Sequence, residues 1–403
     1  MKNAKMKLLF FILIIFISFS CKRHTIIKEN KVDIKKAMLS IQPISLSEIT
    51  SKVSYIPLET TDSSLIGEQA NVCVFNKYIL VSSTNQNLKL FDRETGKFIS
   101  EIGHIGIDPQ GYAKNPWGKV NYRVDSKRNL VYVLGWKNDW QVYDVENNYM
   151  KRIVVEDNAR YNLAQSCFFM DGDSIYGQNK LCISRTAESL FVYDCKSESF
   201  STISGLKETP LPIEDLLSVS NLFGNEVAYG GDLQVAVFSG DRKFYTAINS
   251  PSLWKFQQDM RVKPSFNDTI YTIRQNRLQP YLIFDLGNWA WAYQDRLNVA
   301  DCQHKIHIDY VLENENLLYF HFHTGFYTDN KKSYCGIYRK ENGDVMIMEG
   351  DQWVDPEYNQ ALRICGISND GNFCSLLTPE VLSDELMKQL KVKDDDNPVI
   401  ALF

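Results

Sequence analysis

The pentapeptide Leu88-Lys89-Leu90-Phe91-Asp92 returns as Trp140-Gln141-Val142-Tyr143-Asp144 and again as Leu190-Phe191-Val192-Tyr193-Asp194, at intervals of 52 and 50 residues. Each copy is preceded by a strand-like run: Tyr78–Ser82, Leu130–Leu134 and Ser174–Gly177. Each is followed by a polar turn and a further run: Lys97–Ile102, Tyr149–Val155 and Ser199–Ile203. A weaker copy is Gly336-Ile337-Tyr338-Arg339, with Asn342-Gly343 turning into Val345–Met348. About four short strands in a period near 50 residues define the blades of a β-propeller, and the strand periodicity excludes helical solenoids. The Asp that closes each motif is the residue type that accepts backbone N–H groups in a turn, a structural role.

Counting on this period places blade one at about 65–105, blade two at 116–156 and blade three at 163–206. The longer stretch 216–286 reads as one expanded blade, and blade five covers 304–350. Only Ile364–Ile367 and Phe373–Leu377 remain after that, half a blade. The N-terminal strand Val53–Leu58 has no blade of its own. A ring of sheets avoids exposed edges by pairing its two ends. The expected fold is therefore all-β, a six-bladed β-propeller closed by pairing of the N-terminal strand with the last blade. The expected divisions are a signal peptide at 1–20, a lipid-proximal tether at 21–43, the propeller at 44–380 and a C-terminal helix and tail at 381–403. Within that tail Val381–Leu390 reads as a short helix started by Thr378-Pro379-Glu380, and Asp394-Asp395-Asp396 as solvated chain rather than a calcium site.

The leader carries an address. Lys2, Lys5 and Lys7 precede an apolar run, Leu8–Phe19, broken only by Ser18. That run is shorter than the ~20 residues a membrane-spanning helix needs, and reads as the core of a signal peptide. Ser20 then precedes Cys21, the pattern of a lipobox, in which the chain is cut before a cysteine that carries acyl groups. Cys21 is the expected lipidation site and the membrane the expected partner through it, since each buried methylene contributes ~0.8 kcal/mol. Lys22-Arg23-His24 follow instead of acidic residues, which points to the periplasmic face of the outer membrane. The other eight cysteines show no CxxC or metal spacing, and most sit in apolar runs, so they read as buried thiols.

Val53-Ser54-Tyr55-Ile56-Pro57-Leu58-Glu59-Thr60-Thr61, with Ser64-Leu65-Ile66-Gly67, resembles the opening of the six-bladed propeller lipoproteins of Gram-negative gut-type bacteria, which belong to the NHL/TolB-like propellers. Ile102-Gly103, Gly106, Pro109 and Gly111-Tyr112 resemble that family's glycine-rich loop between blades, although Asp108-Pro109-Gln110-Gly111 departs from its usual Gly-Pro-Gly-Glu. Ser265-Phe266-Asn267-Asp268-Thr269-Ile270-Tyr271 resembles its later strand motif. The resemblance spans about 44–380 and implies the fold and an envelope location; it carries no established reaction.

Four of the six histidines are His304, His307, His321 and His323. Ile306, Ile308, Tyr310 and Leu312 alternate on one strand, and Leu318, Phe320 and Phe322 on the next. Pairing Asp309 with His321, and His307 with His323, puts all these apolar residues on one face. The other face then carries His307, Asp309, His321 and His323, a donor set suited to zinc. A hydrogen-bonded polar layer between blades or a solvated edge is the expected use, and no metal or other cofactor is expected. Trp117, Trp136, Trp140, Trp289 and Trp291 fall near strand ends. They read as packing between blades before platforms for sugar rings.

No GxSxG, P-loop, HExxH or sialidase-type Asp-box occurs, and Glu313 and Glu315 read as turn residues. The net charge of −5 falls to −8 without the three leader lysines, and no basic stripe exists, which excludes nucleic acid as a partner. The expected function is a lipid-anchored envelope propeller that binds an unknown protein or glycan rather than an enzyme; the family resemblance implies a link to polysaccharide handling. The alternative is a propeller hydrolase or lyase with a channel metal.

Overall fold

The computed structural model describes residues 30–403 apart from 116, 138, 156–165, 180–188, 207–218, 227–231, 239–242, 249–251, 292–294, 296–303 and 326–328. The leader and Cys21 lie outside these residues, as do Cys182 and Cys302. Six four-stranded antiparallel sheets make the blades, five of them from consecutive strands. Blade one is Asn71–Phe75, Tyr78–Ser82, Leu88–Asp92 and Phe98–Ile102; blade two is Tyr122–Asp125, Leu130–Leu134, Asp139–Asp144 and Tyr149–Val154. Blade three is Ser166–Asp171, Ser174–Asn179, Leu190–Asp194 and Ser199–Thr202; blade four is Leu253–Phe256, Asp259–Val262, Thr269–Arg274 and Arg277–Phe284. Blade five is His307–Glu313, Leu317–Thr324, Lys332–Arg339 and Val345–Glu349.

Each repeated pentapeptide is the third strand of its blade, and its final Asp does what the sequence indicates. Asp92 Oδ1 accepts from the backbone N–H groups of Glu94 and Thr95, at 3.1 and 2.8 Å. Asp144 and Asp194 repeat the pattern with Glu146 and Asn148, and with Lys196 and Ser197. The turns then pass through the left-handed region at Gly96, Asn147 and Glu198.

The closing blade differs from the expectation in one strand. Its order is Gly366–Ile367, Phe373–Leu377, Val399–Leu402 and then Ser54–Pro57. The N-terminal strand does close the ring, but it pairs with Val399–Leu402 (Ser54 opposite Leu402, Pro57 opposite Val399) and not with Phe373–Leu377. The segment 381–403 is therefore not a tail. Its helix is Asp384–Leu390, capped by the Ser383 hydroxyl, and its last residues are a buried interior strand. Val399, Ile400, Leu402 and Phe403 are all buried, and each contributes about 1.5–3 kcal/mol by leaving water.

The expected tether also ends early. Lys31–Val32 adds a parallel strand to the edge of blade four, opposite Ile283–Phe284. A short helix, Ile34–Ala37, capped by Asp33, then buries Ile34 and Ala37 against Phe284, Leu286 and Ile347 of blades four and five. An apolar stripe of Val32, Ile34 and Ala37 in a Lys-rich segment was masked by its charges. The stretch 216–286 is two sheets, not one expanded blade: Val219–Glu226, Asp232–Phe238 and Lys243–Ile248 form a separate three-stranded sheet before blade four. A further hairpin, Gln352–Asp355 with Gln360–Arg363, stands between blades five and six.

Strand alternation sorts the connections between two ends of the ring. First-to-second strand turns contain two to five residues and lie at one end. There Asn76 bonds Asn369, Ser126 and Asn129, linking blades six, one and two. Second-to-third strand loops and the connections between blades lie at the other end. That end carries the extra sheet, the extra hairpin, the helix Asp384–Leu390 and the described connecting residues 103–115, 117–121 and 285–291. Function grafted on a rigid scaffold concentrates in such loops.

Candidate functional site

At that end of blade five, one carboxylate collects three imidazoles. His307 starts the innermost strand, and His321 and His323 stand two apart near the end of the second, so their side chains share a face. His307 pairs with His323 as expected, but Asp309 does not pair with His321. A β-bulge lies between Ile308, opposite Phe322, and Tyr310, opposite His321, so Asp309 is the additional residue. The bulge turns Asp309 and Tyr310 toward the histidine face. It also reverses the expected faces beyond it: Val311 joins Ile308, Phe320 and Phe322, whereas Tyr310 and Leu312 join Tyr319 in the core beside the closing blade. Both faces are apolar there, which simple alternation does not anticipate.

The four residues are brought together as a unit. Asp309 Oδ1 lies 3.0 Å from His307 Nδ1, and Oδ2 lies 2.8 Å from His321 Nδ1 and 2.6 Å from His323 Nδ1. All four are buried; His323 is the most accessible, its side chain 9% exposed. Burial works against the charge on Asp309, but the three imidazole contacts hold its carboxyl well below the usual carboxylate range. Burial also pushes His307 below the usual imidazole range, against the pull of Asp309. The Tyr310 ring stacks on His321 at 5.2 Å and Phe266 packs 5.2 Å from His307. Beside the cluster a small pocket opens between blades four and five, walled by Lys263, Phe266, Asn267, Trp291 and His307. His304 stands apart, exposed on the preceding connection.

Glu313 is a second buried carboxylate, and the reading of it as a turn residue is corrected. It ends the innermost strand of blade five with its side chain fully buried. Trp254 Nε1 donates to it at 2.8 Å, Tyr281 OH at 3.1 Å and Lys340 Nζ at 2.8 Å. The Arg261 guanidinium lies 3.8 Å away and stacks 3.7 Å over the Tyr281 ring. Burial lowers the pKa of Lys340, and Glu313 opposes that shift. These groups tie blade four to blade five, and nothing in the local sequence marks them because the partners are 27 to 59 residues away.

The tryptophans divide. Trp140 and Trp291 are buried, as packing requires. Trp117 is 70% exposed and Trp136 52% exposed, on the loops at the same end as the histidines, and Ile107 at that end is 93% exposed. Trp136 Nε1 donates to the Gly106 carbonyl at 2.6 Å, joining its loop to the one that carries Ile107. Among the described residues Cys73, Cys195, Cys335, Cys365 and Cys374 are free thiols. Burial pushes the Cys73 thiol up to about 11. No described helix is long and apolar enough to cross a membrane.

The class this architecture defines is the six-bladed β-propeller with its elaboration at one end. The chain belongs to the DUF4934 family, described as a domain of unknown function, whose pattern it matches over residues 29–403. A crystal structure from Bacteroides fragilis, provisionally described as that of an exported protein, shares the fold at 17% identity. The match covers 90% of this chain and 97% of that one, with a TM-score of 0.59. The computationally designed Ika8 protein superposes less well, at 9% identity over 86% of this chain and 99% of that one, with a TM-score of 0.36. The C-terminal WD40 domain of Sif2 gives 10% identity over 83% and 82%, with a TM-score of 0.34. No curated protein is significantly similar in sequence.

Proposed function

We propose that this chain is an exported, lipid-anchored propeller of the bacterial envelope that binds a polysaccharide on its long-loop end and does not transform it. The observation that carries the reading is the exposure of Trp117 and Trp136 with Ile107 on two connected loops of that end. Exposed indoles stack on sugar rings, and the Trp136 hydrogen bond to Gly106 holds its loop against the one that carries Ile107. The lysine-flanked apolar leader and Cys21 support anchoring, and Lys22-Arg23-His24 support the periplasmic face of the outer membrane. The resemblance to the NHL/TolB-like propellers and the description of the Bacteroides fragilis neighbour agree with export.

Titration of the protein with a panel of bacterial and host polysaccharides, followed by tryptophan fluorescence, tests this directly. At least one polymer should shift the emission, and Trp117→Ala with Trp136→Ala should remove the response while the melting temperature stays near wild type. An undiminished response in that variant overturns the surface assignment. The hydrolase or lyase reading draws support from the Asp309 cluster, and release of reducing ends or unsaturated products by the wild type, lost in His321→Ala, would favour it.

A further inference from the structure

We propose that Asp309, His321 and His323 form a binding site for one divalent first-row metal ion of the zinc class. This inference stands apart from the polysaccharide surface and needs neither tryptophan. Three kinds of observation carry it.

First, the donor set and spacing fit. Zinc takes imidazole nitrogen and carboxylate oxygen at ~2.0–2.2 Å. One ligand atom from each of the three residues lies within 4.8 Å of the others, so a single ion can reach all three. The His321–x–His323 spacing supplies two rings from one strand face, and their centroids are 4.9 Å apart at 74°. Such rings approach a common point from different directions rather than lying parallel.

Second, the carboxylate is oriented from behind. His307 Nδ1 holds Asp309 Oδ1 at 3.0 Å, which leaves Oδ2 aimed between His321 and His323. Metal-ligating carboxylates are typically fixed by such an outer hydrogen bond. The β-bulge is the backbone device that makes the arrangement, and bulges recur where a strand must re-aim a side chain beside a site.

Third, the charge is uneven. The cluster holds a buried carboxylate among aromatic rings. A divalent ion bound by the three ligands would compensate the buried anion directly. The site lies at the long-loop end, and His323 gives it a narrow opening to solvent.

The test uses the full chain purified without a histidine tag, stripped with chelator and titrated with Co²⁺ and Zn²⁺. One Co²⁺ per chain should bind, with visible ligand-field absorption displaced by one equivalent of Zn²⁺. Zn²⁺ should raise the melting temperature, and chelator should reverse the rise. His321→Ala with His323→Ala should abolish the absorption, His307→Ala should weaken Co²⁺ binding about 10- to 100-fold, and His304→Ala should leave it unchanged. Absence of saturable binding and of any thermal shift in the wild type overturns the proposal, whether or not the double variant folds. Absorption that survives in the folded double variant, or that disappears in His304→Ala, overturns it equally.

Discussion

The backbone N–H of Glu59 donates to the carbonyl of Gly96 over 2.9 Å, across the junction between the closing blade and blade one. The same junction recurs around the ring. Gly103 N donates to Asn147 Oδ1 at 2.7 Å between blades one and two, and Ser204 N donates to Asn276 O at 2.9 Å between blades three and four. At these three junctions the outer strand ends on the last turn of the next blade. Backbone satisfaction, as well as apolar packing, sets blade spacing.

Gly96 has φ of 69°, and a Cβ there would overlap the Pro57 carbonyl oxygen. Gly96→Ala therefore meets both backbone strain and a backbone clash. A loss of about 2 kcal/mol or more is expected, measured as a lower urea midpoint with an unchanged slope. Gly343 also has positive φ but open space around it, so Gly343→Ala should cost only about 1 kcal/mol.

Asn397 is buried and serves three backbone groups. Its oxygen accepts from Ile66 N at 2.8 Å, and its amide donates to the carbonyls of Glu59 and Ser64 at 2.7 and 2.9 Å. Asn397→Ala should cost about 2–3 kcal/mol by leaving buried groups unpaired. Asn397→Asp should cost more, because a carboxylate has no donor for two carbonyls. Thermal melts of the two variants check the order.

Removal of residues 397–403 takes out an interior strand of the closing blade and leaves Ser54–Pro57 without its partner. Soluble yield should collapse, as it should on deletion of residues 41–60. A truncated chain that melts like wild type would show that the ring does not depend on this strand.

Asp370, on a turn of the closing blade, lies 2.9 Å from the Arg93 guanidinium of blade one. Burial alone would raise its pKa, but the Ser368 hydroxyl and Arg93 outweigh it and the net shift is downward. A depressed carboxyl stabilises the fold above its unfolded pKa of ~3.9, and that contribution disappears as pH falls through the lower folded value. Asp370→Asn should therefore be less stable than wild type near pH 7, by less than about 1 kcal/mol for so exposed a pair. The gap should close below pH ~3.9, as measured by denaturant titration at each pH.

Cys21→Ser should end incorporation of labelled fatty acid and release the protein from the membrane fraction. Labelling equal to wild type would remove the anchor from the proposed function.

Much of this fold is legible in the chain. The three pentapeptides end in Asp residues whose turn bonds are local, within four positions, so their role can be read from sequence. Blades one, two, three and five fall inside the spans their repeats mark. The pairing of His307 with His323 follows from apolar alternation, and so does the meeting of the histidines with Asp309. The bulge at Asp309 does not follow, because alternation assumes one residue opposite one. Val399–Leu402 was also obscure: four apolar residues behind a run of three aspartates look like the end of a tail until a sheet with a vacant third position is present to receive them.

The sequence by itself determined the repeating unit, the number of blades and the turn chemistry, because each depends on residues near one another in the chain. The tertiary structure decided which strands fill the closing blade, that Lys31–Ala37 docks on blades four and five, and that Glu313 is buried among Trp254, Tyr281 and Lys340. Those outcomes depend on contacts between segments tens to hundreds of residues apart, which exist only once the ring has closed and burial has forced each polar group to find its partner.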